Sequence, residues 1–146
     1  MEQAELGLRC ATIGGIELEG GGGFLRAAFD TLADRKVVGK KSDVVAVPMA
    51  GDGIEGVMKR VLVSPDEGWD GWVMRLFDVA QGGHTPRHTH DWPHINFVAS
   101  GRGTLYLDGE DHALEAGSYA YVPGGHEHQF RAAPSEPLSF VCIVPE

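Results

Sequence analysis

The feature that most constrains the fold is a series of short β-prone segments from residue 57 onward, each cut off by glycine or proline. Eight such segments are present, at residues 57–63, 72–79, 94–99, 103–107, 110–114, 118–122, 126–130 and 138–144. Asp108-Gly109, between two of them, is a strong hairpin signal because a type I′ turn requires positive φ. Glycine supplies 21 of the 146 residues, about twice its usual share of roughly 7%. Closely spaced strands joined by tight turns predict an all-β sandwich or small barrel.

The first 56 residues lack this regular series of β-prone segments and are interpreted as an N-terminal extension. Apolar residues recur at helical spacing after the glycines at 20–23, which predicts a helix over about 24–35. A short β-prone run at about 44–47 ends at Pro48. We therefore divide the chain into an extension at 1–56 and a barrel at 57–146.

Charge and hydropathy exclude several classes of partner. Twelve Lys and Arg against 21 Asp and Glu give a formal net charge of −9, whereas nucleic acids and anionic lipids attract proteins with a basic face. The first residues carry acids where a signal peptide carries bases, and no stretch approaches about 18 apolar residues. We expect a cytoplasmic protein that binds neither nucleic acid nor membrane.

All seven histidines fall between residues 84 and 128. His88 and His90 share one side of a strand by alternation, while His94 and His128 belong to later segments. A small barrel can bring these four imidazoles to one interior point, and polar rings there are costly without a partner. Imidazole suits several transition metals. The alternative is that the His-x-His pair lies solvated on an exposed strand edge.

Two longer motifs resemble those of the cupin family. The cupin patterns are G-x5-H-x-H-x3,4-E-x6-G and G-x5-P-x-G-x2-H-x3-N. This chain contains the corresponding series Gly82-x5-His88-x-His90-x3-His94-x6-Gly101 and Gly117-x5-Pro123-x-Gly125-x2-His128. Two positions depart from the pattern, since His94 replaces the glutamate and Ala132 replaces the asparagine. The chain is similar to small bacterial single-domain cupins with a four-histidine metal centre.

This resemblance implies a double-stranded β-helix (jelly-roll) barrel and, commonly, a homodimer. It also implies one divalent transition metal (Mn, Fe, Ni, Cu or Zn), held by His88, His90, His94 and His128. Four neutral rings leave a divalent centre at a formal +2, whereas three rings and a carboxylate leave +1. The more positive centre is a stronger Lewis acid and should hold anionic substrates more tightly.

Strand alternation extends the predicted site beyond the ligands. If His94 faces inward, Asn96 does too, and its polar group needs a partner. That partner is a ligand ring, a metal-bound water or a substrate, or else a backbone group or another side chain. Phe130 shares a face with His128 and is expected to form an inner wall. Trp92 borders the pocket mouth or packs as a surface anchor.

The remaining histidines are weaker candidates. Alternation permits His126 to lie beside His128, yet it occupies a turn, so we leave it outside the predicted ligand set. His84 lies in a glycine turn and His112 in an acidic hairpin arm. Both are expected to be solvated.

The expected function is a metal-dependent enzyme that acts on a small organic molecule, either anionic or enolisable. Dioxygenase-type chemistry is favoured over isomerase or lyase chemistry, because the predicted site offers no evident general base. The alternative is a non-catalytic module that binds or senses a small ligand through its metal, and a third option is a purely structural metal. The fold alone cannot decide, since such barrels host many functions.

Overall fold

A computed structural model describes residues 37–146, so the helix predicted at 24–35 lies outside the described residues. Eight strands join in one sheet. They are β1 (Val47–Pro48), β2 (Glu55–Val63), β3 (Trp72–His84), β4 (His94–Leu107), β5 (Glu110–Glu115), β6 (Tyr119–Val122), β7 (His128–Ala132) and β8 (Leu138–Pro145). Short 3₁₀ helices cover Lys41–Asp43 and Pro65–Glu67. This architecture confirms the predicted all-β barrel.

Two long strands close the barrel because each pairs with different partners along its length. The first part of β3 pairs with β8, and its last residue pairs with β7. The first half of β4 pairs with β6 and β8, while its second half pairs with β5 and β7. Both strands therefore run from one wall of the barrel into the other.

The long strand β4 unites two segments that the sequence predicts separately, at 94–99 and 103–107. The apparent gap is an irregularity in the pairing with β8, between Val98 and Ser100. Gly101 follows it with φ +82°, and a Cβ there would lie 1.8 Å from the carbonyl oxygen of Pro137. Glycine therefore permits the close approach without ending the strand.

Several other element boundaries differ from the prediction, among them the end of β3, which runs to His84 although a strand was expected only at 72–79. The strand expected at about 44–47 is β1, Val47–Pro48, which pairs with β2. Since β2 begins at Glu55, the expected division between residues 56 and 57 falls inside a strand. The segment predicted at 126–130 begins as a strand only at His128.

Stacked aromatic rings fill the barrel beside its polar residues. Phe140 lies between Phe77 and Phe130, with ring centroids 5.3 and 4.2 Å away. On β4, the predicted alternation is present: His94, Asn96 and Val98 are buried, whereas Ile95 and Phe97 are half-exposed on the outer face. Within residues 37–146, no helix is long and apolar enough to cross a membrane.

Candidate metal centre

The four predicted histidines converge inside the barrel from three parts of the chain. One ring nitrogen from each of His88, His90 and His128 lies within 4.8 Å of the other two. His94 adjoins this trio, since its Nε2 is 3.1 Å from Nε2 of His128 and its ring centroid is 5.3 Å from that of His90. His94 and His128 are buried, while His88 and His90 are more accessible.

Backbone contacts bring these histidines together. His88 pairs with His128 as a β-bridge, with backbone hydrogen bonds of 3.2 and 3.0 Å. The amide of Gly125 donates to the carbonyl of His90 at 2.8 Å. A Cβ on Gly124 would lie 2.0 Å from the carbonyl oxygen of Asp91. The glycines of this turn therefore let the loop that carries His90 pack against the segment that leads to His128.

Three backbone carbonyls set the protonation of the histidine rings. Nδ1 of His88 donates to Pro86 at 2.9 Å, Nδ1 of His90 to Trp92 at 2.7 Å, and Nδ1 of His128 to His126 at 2.8 Å, in each case to the carbonyl oxygen. A carbonyl oxygen can only accept, so each Nδ1 carries the proton, and each neutral ring presents the lone pair of Nε2. This is the arrangement in which histidine coordinates metals.

His94 is oriented by a side chain instead. Its Nδ1 lies 3.1 Å from Oδ1 and 2.9 Å from Nδ2 of Asn96, which is itself only 2% exposed. When Oδ1 accepts from the Nδ1 proton, Nε2 of His94 is free to join the other three. Of the hydrogen-bond partners considered for Asn96 from the sequence, the structure shows a predicted ligand ring, that of His94.

Asn96→Leu should lower the affinity for a divalent metal by about 10–100-fold, the usual effect of removing a group that orients a histidine ligand. The substitution leaves the four rings in place and removes the acceptor that holds the His94 proton on Nδ1. Competition with a chromophoric chelator for Zn²⁺ measures the change. Asn96→Asp, whose carboxylate accepts the same hydrogen bond, should lose less than Asn96→Leu. Equal affinity in the wild type and Asn96→Leu would contradict the assigned role.

Burial keeps the inner rings neutral. It lowers the pKa of His94 to about 4, and the neighbouring rings of His128 and His90 act in the same direction, against the hydrogen bond that the ring donates to Asn96. Burial also lowers the pKa of His128. Neutral imidazole is the form that binds metal, so the lowered pKa values keep both rings in the form that can act as a ligand.

A cavity of about 150 Å³ adjoins the histidines. Phe130, 3% exposed, lines it as expected and lies 6.3 Å from the ring of His94. Trp92 is half-exposed and stacks on His90, with centroids 4.5 Å apart and planes 4° apart. The indole ring thus packs face to face against the ring of a predicted ligand.

The other three histidines lie apart from the cluster. His126 pairs its ring with the side chain of Asp108, although its carbonyl holds His128. His84 is only partly exposed, and its Nδ1 donates to the carbonyl of Gly53 at 3.0 Å. His112 is exposed, 4.0 Å from Glu110. The solvated state expected of His84 is therefore only partly realised.

The sequence analysis missed several polar residues of the cavity wall, among them Arg75 and Cys142. Arg75 pairs with Cys142 across β3 and β8, and Cys142 pairs with Asn96 across β8 and β4. All three therefore share the inner face of the barrel. Alternation along β3, where buried Phe77 and Val79 follow Arg75 at intervals of two, was the available signal.

Comparisons with known proteins match this region. Residues 75–144 fit the Cupin_2 family model, a cupin domain. Over 71 residues the chain is 34% identical to 1-methylthio-D-xylulose 5-phosphate methylsulfurylase from Rhodospirillum rubrum, covering 49% of this chain and 46% of that protein. The chain thus spans about half the length of this curated relative.

Two solved structures have a similar fold. The polyketide cyclase RemF from Streptomyces resistomycificus is 28% identical with a TM-score of 0.71, covering 75% of this chain and 79% of that one. A cupin-2 domain protein from Rhodospirillum rubrum is 27% identical with a TM-score of 0.65, covering 76% and 74%.

Proposed function

We propose that this barrel is a metal-dependent enzyme of the cupin superfamily, since residues 75–144 fit a cupin family model and a cupin-2 domain protein has a similar fold. In this proposal His88, His90, His94 and His128 hold one divalent transition metal, and the substrate is a small anionic or enolisable molecule. A bound metal of this kind supplies a Lewis acid and, when it is redox-active, electrons.

The observation that carries the proposal is the fixed protonation of the rings. Three carbonyls hold the protons of His88, His90 and His128 on Nδ1, so their Nε2 lone pairs point at one another. Lone pairs gathered in a buried place repel each other unless a cation or a proton lies between them. The donor set therefore fits a metal ion that prefers imidazole nitrogen.

The cavity beside the histidines supports an enzyme over a structural metal, because structural sites are closed. The rings of Phe77, Phe130 and Phe140 form an apolar part of its wall. A cavity of about this volume accommodates one benzene-sized molecule. Two of the similar proteins described above are named as enzymes, which also favours catalysis over a non-catalytic binding or sensing module.

We keep dioxygenase-type chemistry ahead of isomerase or lyase chemistry as the proposed reaction. Among the described residues that line the cavity, there is no aspartate, glutamate or lysine. Proton abstraction at carbon usually requires such a group within hydrogen-bond reach of the substrate. An oxidation that uses dioxygen as co-substrate depends less on a protein base.

The proposed partner in assembly is a second copy of this chain. Half-exposed or exposed apolar and aromatic side chains lie together on the outer face of β4 and β6, from Ile95, Phe97, Tyr119 and Tyr121. Contiguous apolar surface of this kind commonly marks a protein interface.

Changing His94 to glutamate tests the proposed metal and its charge together. His94→Glu should still bind metal, whereas its hold on a small carboxylate should weaken by about tenfold or more, because the centre falls from +2 to +1. Elemental analysis of natively purified protein gives the metal content. Titration of the Co²⁺-loaded protein with small diketones, hydroxy acids and phenolic acids gives the affinities.

His112→Glu is the matched control, since it makes the same exchange at an exposed histidine outside the cluster. Equal carboxylate affinity in the wild type and His94→Glu would refute the charge argument. A wild-type protein that takes up no divalent metal would refute the proposed function itself.

A further inference from the structure

Arg75 is a permanent cation on the inner face of the barrel. Its backbone pairs with Cys142 on β8, which places its side chain on the face that carries Asn96 and His94. It lines the same cavity as the four histidines. Among the described residues of that wall there is no carboxylate to balance its charge.

The guanidinium is poorly satisfied where it lies. Its Nη2 is 3.5 Å from Sγ of Cys142, its Cζ is 5.4 Å from the ring centroid of Phe77, and its buried Nε has no hydrogen-bond partner. Sulfur is a weak acceptor, while a guanidinium carries five donors. The contact with Cys142 therefore does not balance the charge of Arg75.

Of the other arginines in the described chain, Arg87 lies over the ring of Tyr106, 3.7 Å from its centroid, and the remaining three are paired with acids. Arg60 contacts Asp78, Arg131 contacts Asp111, and Arg102 lies 3.5 Å from Glu136. Leaving a buried charged donor unpaired is costly, because it has lost its water without gaining a partner. Arg75 differs from these residues in facing a cavity, where a ligand can supply the missing acceptor.

We propose that Arg75 binds a carboxylate of the substrate, so that the substrate extends from the guanidinium to the histidine cluster. This inference rests on the proposed function and narrows its substrate class to small carboxylic acids with a second oxygen function at the other end. The planar guanidinium matches a carboxylate with two parallel hydrogen bonds.

The dimensions agree with a molecule of this kind. Sγ of Cys142 lies 3.5 Å from Nη2 of Arg75 and 3.6 Å from Nδ1 of His94, so the guanidinium and the ring of His94 both adjoin this thiol and are close enough for one short molecule to span them. The cavity of about 150 Å³ limits the substrate to roughly the size of benzene, or about six to eight non-hydrogen atoms.

The test compares malonate with malonamate in the Co²⁺-loaded protein, followed by calorimetry and by the cobalt absorption spectrum. The two acids are of equal size, and each offers one carboxylate to the metal, but only malonate offers a second to Arg75. The wild type should prefer malonate. Arg75→Met should reduce that preference by at least about tenfold, as expected for lost hydrogen bonds to a charged group, and should change malonamate binding little.

Arg102→Met is the matched control, since it removes an arginine of the exposed surface and should keep the full preference. Arg75→Lys retains the charge without the two parallel donors, so part of the preference should return. Thermal unfolding checks that each variant is folded. If Arg75→Met does not fold, the comparison of Arg75→Lys with the wild type provides the test. In that case, a preference in Arg75→Lys equal to that of the wild type would overturn the role of the guanidinium.

The outcomes separate this inference from the proposed function. If cobalt binds and Arg75→Met keeps the full preference for malonate, the role of Arg75 is overturned while the metal site stands. If the wild type takes up no cobalt, the proposed function fails. The calorimetric comparison in metal-free protein then decides about Arg75 alone: a preference for malonate that disappears in Arg75→Met supports its role, and no dependence on Arg75 overturns it.

Discussion

His128→Ala should lower the affinity for a divalent metal by more than about 100-fold, beyond the usual effect of losing an orienting group. The ring of His128 is central to the cluster, with centroid distances of 4.6 Å to His88, 4.9 Å to His90 and 4.6 Å to His94. Its loss removes the ring that adjoins each of the other three candidate ligands. Chelator competition and elemental analysis of the dialysed protein measure the effect.

Alanine at the other three positions should act in the same direction. His84→Ala and His112→Ala serve as controls and should retain the metal, because both rings lie outside the cluster. Full metal retention in both His94→Ala and His128→Ala would exclude the four-histidine assignment.

The metal-free protein should lose about 3 kcal/mol of unfolding free energy between pH 6.5 and pH 4 through His94 alone, given its folded-state pKa of about 4. In the unfolded chain this ring takes up a proton near pH 6.5, whereas in the folded barrel it stays neutral until about pH 4. The unfolded state therefore binds more protons in this window, and stability falls as the pH falls. His128, whose pKa is also lowered by burial, adds to the loss.

Urea unfolding at a series of pH values measures this effect. His94→Gln has no titrating ring at this position, so its stability should depend less steeply on pH in the same window. A parallel pH dependence in the wild type and His94→Gln would show that the loss comes from other groups.

Much of the fold was predictable because glycine and proline mark the strand ends. The continuity of β4 could not be predicted, because an irregularity between Val98 and Ser100, followed by Gly101, looks in sequence like a turn. What distinguishes the two is the contact between Gly101 and Pro137, which are distant in the chain. Such contacts depend on the register of strands, which local sequence does not specify.

The part of the candidate site that belongs to a motif of fixed spacing could be predicted from the sequence. His88, His90, His94 and His128 come together as expected, and Asn96 follows from alternation. Arg75 was missed because an arginine in a strand is usually read as a surface residue. Its inward position depends on the pairing of β3 with β8, which brings it beside Cys142.

The backbone carbonyl partners of the histidines determine which amino-acid substitutions this site can tolerate. Pro86, Trp92 and His126 hold three of the rings through main-chain oxygens, which every amino acid possesses. Replacing those side chains leaves the acceptors in place as long as the backbone keeps its path. Asn96 alone among the four orienting groups acts through its side chain. Point mutation can therefore adjust the basicity of one candidate ligand, His94, while the orientation of the other three rings is protected by the fold itself.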